Sequence, residues 1–262
     1  MAASLDTSSA PPMPVLFLGH GSPTNALEDN AFTRGLAELG AALPRPVAVL
    51  CVSAHWLTRG TRVLCLPRPR TLHDFYGFPD DLYRVEYPAP GAPEIAREVA
   101  ALAGASCDGA WGFDHASWAV LRHVFPLADV PLIELSLDVL MGPLDHYDLA
   151  RSLAPLRDQG VMIVGSGNIV HNLGAVDWSP GAEPYPWAVA FDEWVRGRFL
   201  AGDDEALCAY EDVDFADDAV PTNDHYLPLL YTAALRREGE KVEFTHEGIE
   251  MGSVSMRCAR VG

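Results

Sequence analysis

The stretch "VLFLGHGSPT", Val15 to Thr24, decides the fold class. An unbroken apolar run ends in the turn-forming "GHGSP". The segment after it, "NAFTRGLAELGAAL", spaces Phe32, Leu36, Leu39 and Leu43 at intervals of three and four. A strand that is apolar at every position is buried on both faces, and a following helical pattern supplies one of its covers. The same alternation continues outward along the chain. "VAVLCVSA", "TRVLCL", "PLIELSL" and "VMIVGSG" read as buried strands, and "APEIAREVAALAG" and "HYDLARSLAPLRDQG" carry helical apolar spacing. Short strands alternating with helices predict an α/β domain with a largely parallel central sheet and helices on both faces. "KVEFTHEGIEMGSVSMRCARV" alternates as strand, with Gly248 and Gly252 as turn residues, and predicts antiparallel strands at a C-terminal edge.

With 262 residues, 49% of them hydrophobic, the chain can bury one sizeable core, so residues 14–262 are expected to form a single catalytic domain. Residues 1–13 read as an unstructured leader, since they carry no Lys or Arg and no apolar signal stretch. A formal charge of −18 without a basic stripe disfavours nucleic acid as a partner. No apolar run is long enough to cross a bilayer, so a cytoplasmic protein without a membrane partner is expected. "GDDEALCAYEDVDFADD", Gly202 to Asp218, reads as a solvated acidic face. The five cysteines, Cys51, Cys65, Cys107, Cys208 and Cys258, are scattered and form no CxxC pair. They are expected to be reduced and mostly buried, not a disulfide framework or a thiolate metal site.

In parallel α/β sheets, ligands collect outside the carboxyl ends of the strands. His20 and His55 stand at two such ends, 35 residues apart, which is about one strand-helix-strand unit, so neighbouring strands and a shared crevice are expected. His171 follows a third apolar run through "GSGN". His115 lies among aromatics and glycines in "WGFDHASW", off any amphipathic helix, and His225 stands where a helix, "HYLPLLYTAALRRE", would begin. A site rich in imidazole and poor in thiolate suits zinc or iron.

The remaining features are weaker. "GHGSP" and "GSGN" match neither a P-loop nor a dinucleotide fingerprint. Ser22 and Ser166 lie near histidines, but no G-x-S-x-G elbow supports a hydrolase triad. His73, His123, His146 and His246 read as structural. Asp114 and Asp224 each precede a candidate histidine, and adjacent side chains usually point apart, which makes them weak orienting partners. Trp56, Phe75, Tyr76, Trp118 and Tyr226 are candidate walls for a flat substrate, and "HDFYGFPDDLYRVEYP", His73 to Pro88, is the candidate pocket-covering loop.

The segments "LFLGHGSP", "VSAHW", "HDFYGFPDDLYRVEYPAPG", "FDHASWAVLRHVFP", "VGSGNIVHNL" and "PTNDHYLPLLYTAA" occur in this order. Together they resemble the bacterial and plant 4,5-DOPA extradiol dioxygenase family, part of the class III extradiol ring-cleaving superfamily. The resemblance spans nearly the whole chain, from Pro14 to Arg257. It implies that His20 and His55 are metal ligands, that His225 is a third, and that His171 is either a fourth ligand or an acid/base group. It implies that His115 is the proton-transfer residue beside the substrate. The implied activity is extradiol opening of a DOPA-like catechol by O₂ at one divalent non-haem metal, Fe(II) for activity with Zn(II) as an alternative bound ion. The superfamily's iron site typically includes a carboxylate, whereas this set is all imidazole, and zinc has no redox chemistry with which to activate oxygen. The alternatives are a metal-containing peptide-binding module without ring cleavage, or a zinc-dependent hydrolase with His115 or His171 as base.

Overall fold

Residues 11–179 and 181–262 are described by the computed structural model, and the first half alternates strand and helix as its apolar pattern requires. In chain order it contains β1 (Val15–Gly19), α1 (Ala31–Ala42), β2 (Ala48–Thr58), β3 (Arg62–Leu64), α2 (Pro93–Ala103), β4 (Ser106–Asp108) and α3 (His115–Val124). Next come β5 (Leu132–Asp138), α4 (Pro143–Ser152), α5 (Pro155–Asp158), β6 (Val161–Gly167) and α6 (Pro186–Ala201). The remainder comprises α7 (Asp204–Cys208), α8 (Ala216–Ala219), α9 (Leu227–Ala234), β7 (Val242–His246), β8 (Ile249–Glu250), β9 (Val254–Ser255) and β10 (Cys258–Val261).

The main sheet has the order β4-β3-β5-β2-β6-β1-β10-β7. Its centre is parallel, with β5, β2, β6 and β1 running together, and β10 and β7 close one edge antiparallel. The other edge departs from the expected pattern, because β3 and β4 are parallel to each other but β3 is antiparallel to β5. Successive residues of each central strand enter different cores. Val15 and Phe17 pack on one face with α2, α4, α6 and α9, whereas Leu16 and Leu18 pack on the other with α1 and α3. This two-sided burial is why the strands read as continuous apolar runs.

Local chemistry fixes the helix ends. Asn30 and Thr33 form a capping box at the start of α1. Pro155 interrupts the single helix expected over "HYDLARSLAPLRDQG" and opens the separate turn α5. Arg157 then ties the chain ends together: its guanidinium donates to Met13 O and Leu235 O and pairs with Glu240 at 2.5 Å. Breaking such a buried pair costs roughly 3–5 kcal/mol. Residues 1–10 of the expected leader lie outside the described residues, and Met13 is held by Arg157.

Two sequence expectations are corrected here. Cys65 and Cys107 form a disulfide, so not every thiol is reduced. Val63 of β3 pairs with Cys107 of β4, which brings the two sulfurs together across a sequence separation of 42. Cys51 and Cys258 are free and buried as expected, and Cys208 is half-buried. The acidic stretch Gly202 to Asp218 is not simply a solvated face, because Leu207, Tyr210 and Ala216 turn inward to the core while its carboxylates mostly stay outside.

Candidate functional site

His20 and His55 do share a crevice, but their strands are not neighbours: β6 lies between β1 and β2. His20 follows β1, where its N–H donates to Gly167 O at the end of β6. His55 is carried by an irregularity in β2. From Val52 to Leu57 the strand advances five residues while its partner β5 advances only two, from Leu135 to Leu137. The extra residues bulge from the ladder, a device that re-aims side chains at strand ends.

His225 arrives from the other side of β6. It ends a short 3-10 turn, Asn223–His225, just ahead of α9. The glycines of "VGSG" make this approach possible. A Cβ on Gly165 would lie 2.2 Å from Pro228 O, and one on Gly167 would lie 2.1 Å from His225 O. The motif is therefore a close-packing surface for the segment that bears His225. His115 is not in a loop, as its glycine and aromatic neighbours suggested, but is the first residue of α3, whose N-cap is Asp114. His171 lies half-buried beyond β6, its ring stacked on His225 with centroids 3.5 Å apart and planes 7° apart.

Side-chain partners fix the imidazole tautomers. Ser166 Oγ donates to Ala116 O at 2.6 Å, so the 3.1 Å contact between Ser166 and His20 Nδ1 has the imidazole as donor. His225 Nδ1 donates to Asp224 Oδ2 at 2.5 Å. His115 Nδ1 donates to Asp74 at 2.9 and 3.0 Å, and His55 Nδ1 lies 3.3 Å from the same carboxylate. His20, His115 and His225 thus carry their proton on Nδ1 and leave Nε2 unprotonated. His55 Nε2 stands 3.3 Å from His20 Nε2 and 3.2 Å from His225 Nε2. Lone pairs facing one another at this range repel unless a cation sits among them, so the donor set fits a divalent metal. Ligand atoms of His20, His55 and His115 also lie within 4.8 Å of one another. His115 and His225, each with Nδ1 held by a carboxylate, both stand beside the His20–His55 pair.

Burial, and then the neighbouring histidines, hold His20 and His55 well below the usual imidazole range, and burial brings His171 down to about 3. Neutral imidazole is the form that ligates metal. Burial would raise Asp74, but the hydrogen bond and charge of His115 outweigh it and leave its carboxyl below the usual range. Behind His115 lies a second layer. Asp114 accepts from Ser53, Trp111 and the N–H of Ala116, and its own N–H donates to Glu134 at 3.0 Å. Burial, then the charge of Asp74, pushes Asp114 up to about 6, and burial and Asp114 push Glu134 well above its ordinary value. Ser53 also accepts the His55 N–H at 3.1 Å, so one buried cluster links the β2 bulge to the start of α3.

All five candidate histidines line one cleft of about 410 Å³, within the range of small-molecule sites. His73, His123, His146 and His246 stay outside it and serve structure. His73 and His123 bond Val85 O and Asn25 O, His146 bonds Tyr231, and His246 packs on Phe32. Of the aromatics proposed from sequence, Phe75 alone lines the cleft. Trp56 stacks on Trp111, Trp118 and Tyr226 are core residues, and Tyr76 points to solvent. Phe78 and Trp178 take their place. Only the first part of the His73–Pro88 loop faces the cleft, through Asp74, Phe75 and Phe78, because Leu82, Val85 and Tyr87 are buried in the core. Asp74 was missed as a site residue, since it reaches His115 across 41 positions. Asp224 bonds its neighbour's ring after all, whereas Asp114 turns away from the His115 ring to Ser53.

The fold is a largely parallel α/β domain whose histidine cluster fits a single non-haem metal, and comparison with known proteins gives the class. Residues 8–261 match the family described as the catalytic LigB subunit of aromatic ring-opening dioxygenase, and the chain belongs to that family. It is 47% identical over 257 residues to a 4,5-DOPA dioxygenase extradiol of Escherichia coli K12, covering 95% of each chain. It is 34% identical over 250 residues to a protein of the same description from Beta vulgaris, covering 91% of this chain and 92% of the relative. A crystal structure of the uncharacterized protein JW3007 from Escherichia coli K12 superposes with a TM-score of 0.84 at 43% identity, covering 95% of this chain and all of that one. The membership makes the chain an extradiol oxidoreductase. Among the described residues, no helix is long and apolar enough to cross a membrane.

Proposed function

We propose that this chain opens the ring of a catechol with O₂ at a single divalent metal held by His20, His55 and His225, with His171 as a fourth ligand or an acid/base group. The observation that carries the reading is the convergence of three Nε2 atoms at separations of 3.2–3.3 Å for the two closest pairs, with Nδ1 of His20 and His225 hydrogen-bonded to Ser166 and Asp224. Ferrous ion is the metal proposed for activity, because when bound it supplies the electron relay between catechol and oxygen that zinc cannot.

The chain's own residues supply positioning and proton transfer. His115 lines the cleft while Asp74 holds its Nδ1–H, so the ring can take a catechol proton on Nε2 and remain paired as the imidazolium. A positioned acid/base of this kind contributes about 10²- to 10⁴-fold in rate. Ser166 and Asp224 hold His20 and His225 in the ligating tautomer. Phe75, Phe78 and Trp178 form apolar walls for a flat ring and limit water around it.

The test is anaerobic reconstitution with Fe(II), and separately with Zn(II), followed by oxygen uptake with a panel of catechols including DOPA. Uptake with a ring-opened product from the iron form alone supports the reading. Stoichiometric metal without uptake for any catechol would overturn it in favour of a binding module or a zinc hydrolase.

A further inference from the structure

Among the described residues, neither lysine nor arginine lines the cleft. Its charged groups are the carboxylates Asp74 and Asp224, which are held against histidines at 2.9 and 2.5 Å. Beyond the histidines, the two carboxylates and Ser22 the wall is mostly apolar, with Leu57, Phe75, Phe78, Leu173, Trp178 and Met251. Two carboxylates offset the charge of one divalent ion among neutral imidazoles. A catechol whose proton passes to His115 adds no net charge, so the cleft keeps no surplus positive charge for a ring substituent. A carboxylate on that substituent loses water and finds no cation in the cleft, whereas an ammonium is drawn toward it by the chain's formal charge of −18.

We propose that the cleft selects catechols by side-chain charge, favouring an ammonium-bearing or uncharged substituent and rejecting one whose sole charge is a carboxylate. This rests on the catechol reading above. The chain carries 36 acidic against 18 basic residues, which adds long-range attraction for cationic substrates. Specificity here comes from leaving out a cation, so the disfavoured charge stays unpaired.

Dopamine, DOPA and 3-(3,4-dihydroxyphenyl)propanoate share one ring and differ in the charged groups of the side chain, so they isolate the effect. Their affinities are measured by calorimetry on the zinc-loaded protein, and kcat/KM is measured on the iron-loaded protein. Dopamine should bind at least about tenfold tighter than the propanoate, with DOPA between them. Leu173→Arg places a cation at a rim position that is 62% exposed, and it should narrow that ratio by strengthening propanoate binding. Propanoate binding equal to or tighter than dopamine, or a ratio unmoved in Leu173→Arg, would overturn the charge selection while leaving the catechol reading intact. Failure of all three compounds to bind the zinc-loaded protein would overturn the catechol reading itself, and this inference with it.

Discussion

Replacing Gly167 with alanine tests whether β6 sets the position of His225. A Cβ at this strand end would lie 2.1 Å from His225 O and 3.2 Å from Pro228 Cγ. The carbonyl cannot swing aside, because it belongs to the backbone and accepts the Asn168 N–H at 2.9 Å. Moving it from 2.1 Å to the 3.0 Å below which real Cβ contacts do not occur displaces the His225 segment by about 0.9 Å. Metal sites hold their ligand distances to about 0.2 Å, so the shift is several times what coordination tolerates. Overpacking of this kind costs about 1–3 kcal/mol, equivalent to a fall in Tm of roughly 2–12 °C for a chain of this size. Metal affinity should fall at least tenfold, as measured by chelator competition on the zinc-loaded protein. Gly35→Ala is the control: it lies within α1 with open space around its Cβ, and should gain up to about 1 kcal/mol without touching metal affinity. Zinc affinity within twofold of the parent's and an unmoved Tm in Gly167→Ala would refute the reasoning.

His20→Ala, His55→Ala and His225→Ala should each lose metal, whereas His115→Ala should keep it and lose turnover by about 10²–10⁴-fold; metal analysis beside oxygen uptake separates the two classes. Asp74→Asn removes the charge that supports the His115 imidazolium, and should lower turnover about 10–100-fold and move the pH profile; an unchanged profile would count against the pairing. Acid should destabilise the metal-free protein. His20, His55 and His171 are held low in the folded state, so below about pH 6.5 the unfolded chain takes up their protons first, at up to about 1.4 kcal/mol per histidine per pH unit. Asp114, raised from 3.8 to about 6, acts with the opposite sign between those values and offsets part of the loss. Urea midpoints that stay level from pH 7 to pH 5 would rule out this balance.

The legible part of this protein was the part encoded locally. Apolar runs marked β1, β2, β5 and β6, and a histidine at or just beyond a strand end marked His20, His55 and His171, because strand burial and the crevice rule act over a few residues. The order of the strands was not legible: inserting β6 between β1 and β2 depends on pairing across the whole chain. The Cys65–Cys107 bond was hidden for the same reason, since it needs β3 beside β4. Asp74 combined both difficulties, because it stands next to a histidine that serves structure and acts on one 41 positions away. A polar residue in an aromatic loop carries no sign of its partner. Yet Asp74 and Asp224 do more than orient rings: their charge offsets that of a divalent ion, and among the described residues no lysine or arginine lines the cleft to meet an acidic substituent. The contacts that prepare the imidazoles to hold a metal therefore also set which ring substituents the cleft can accept.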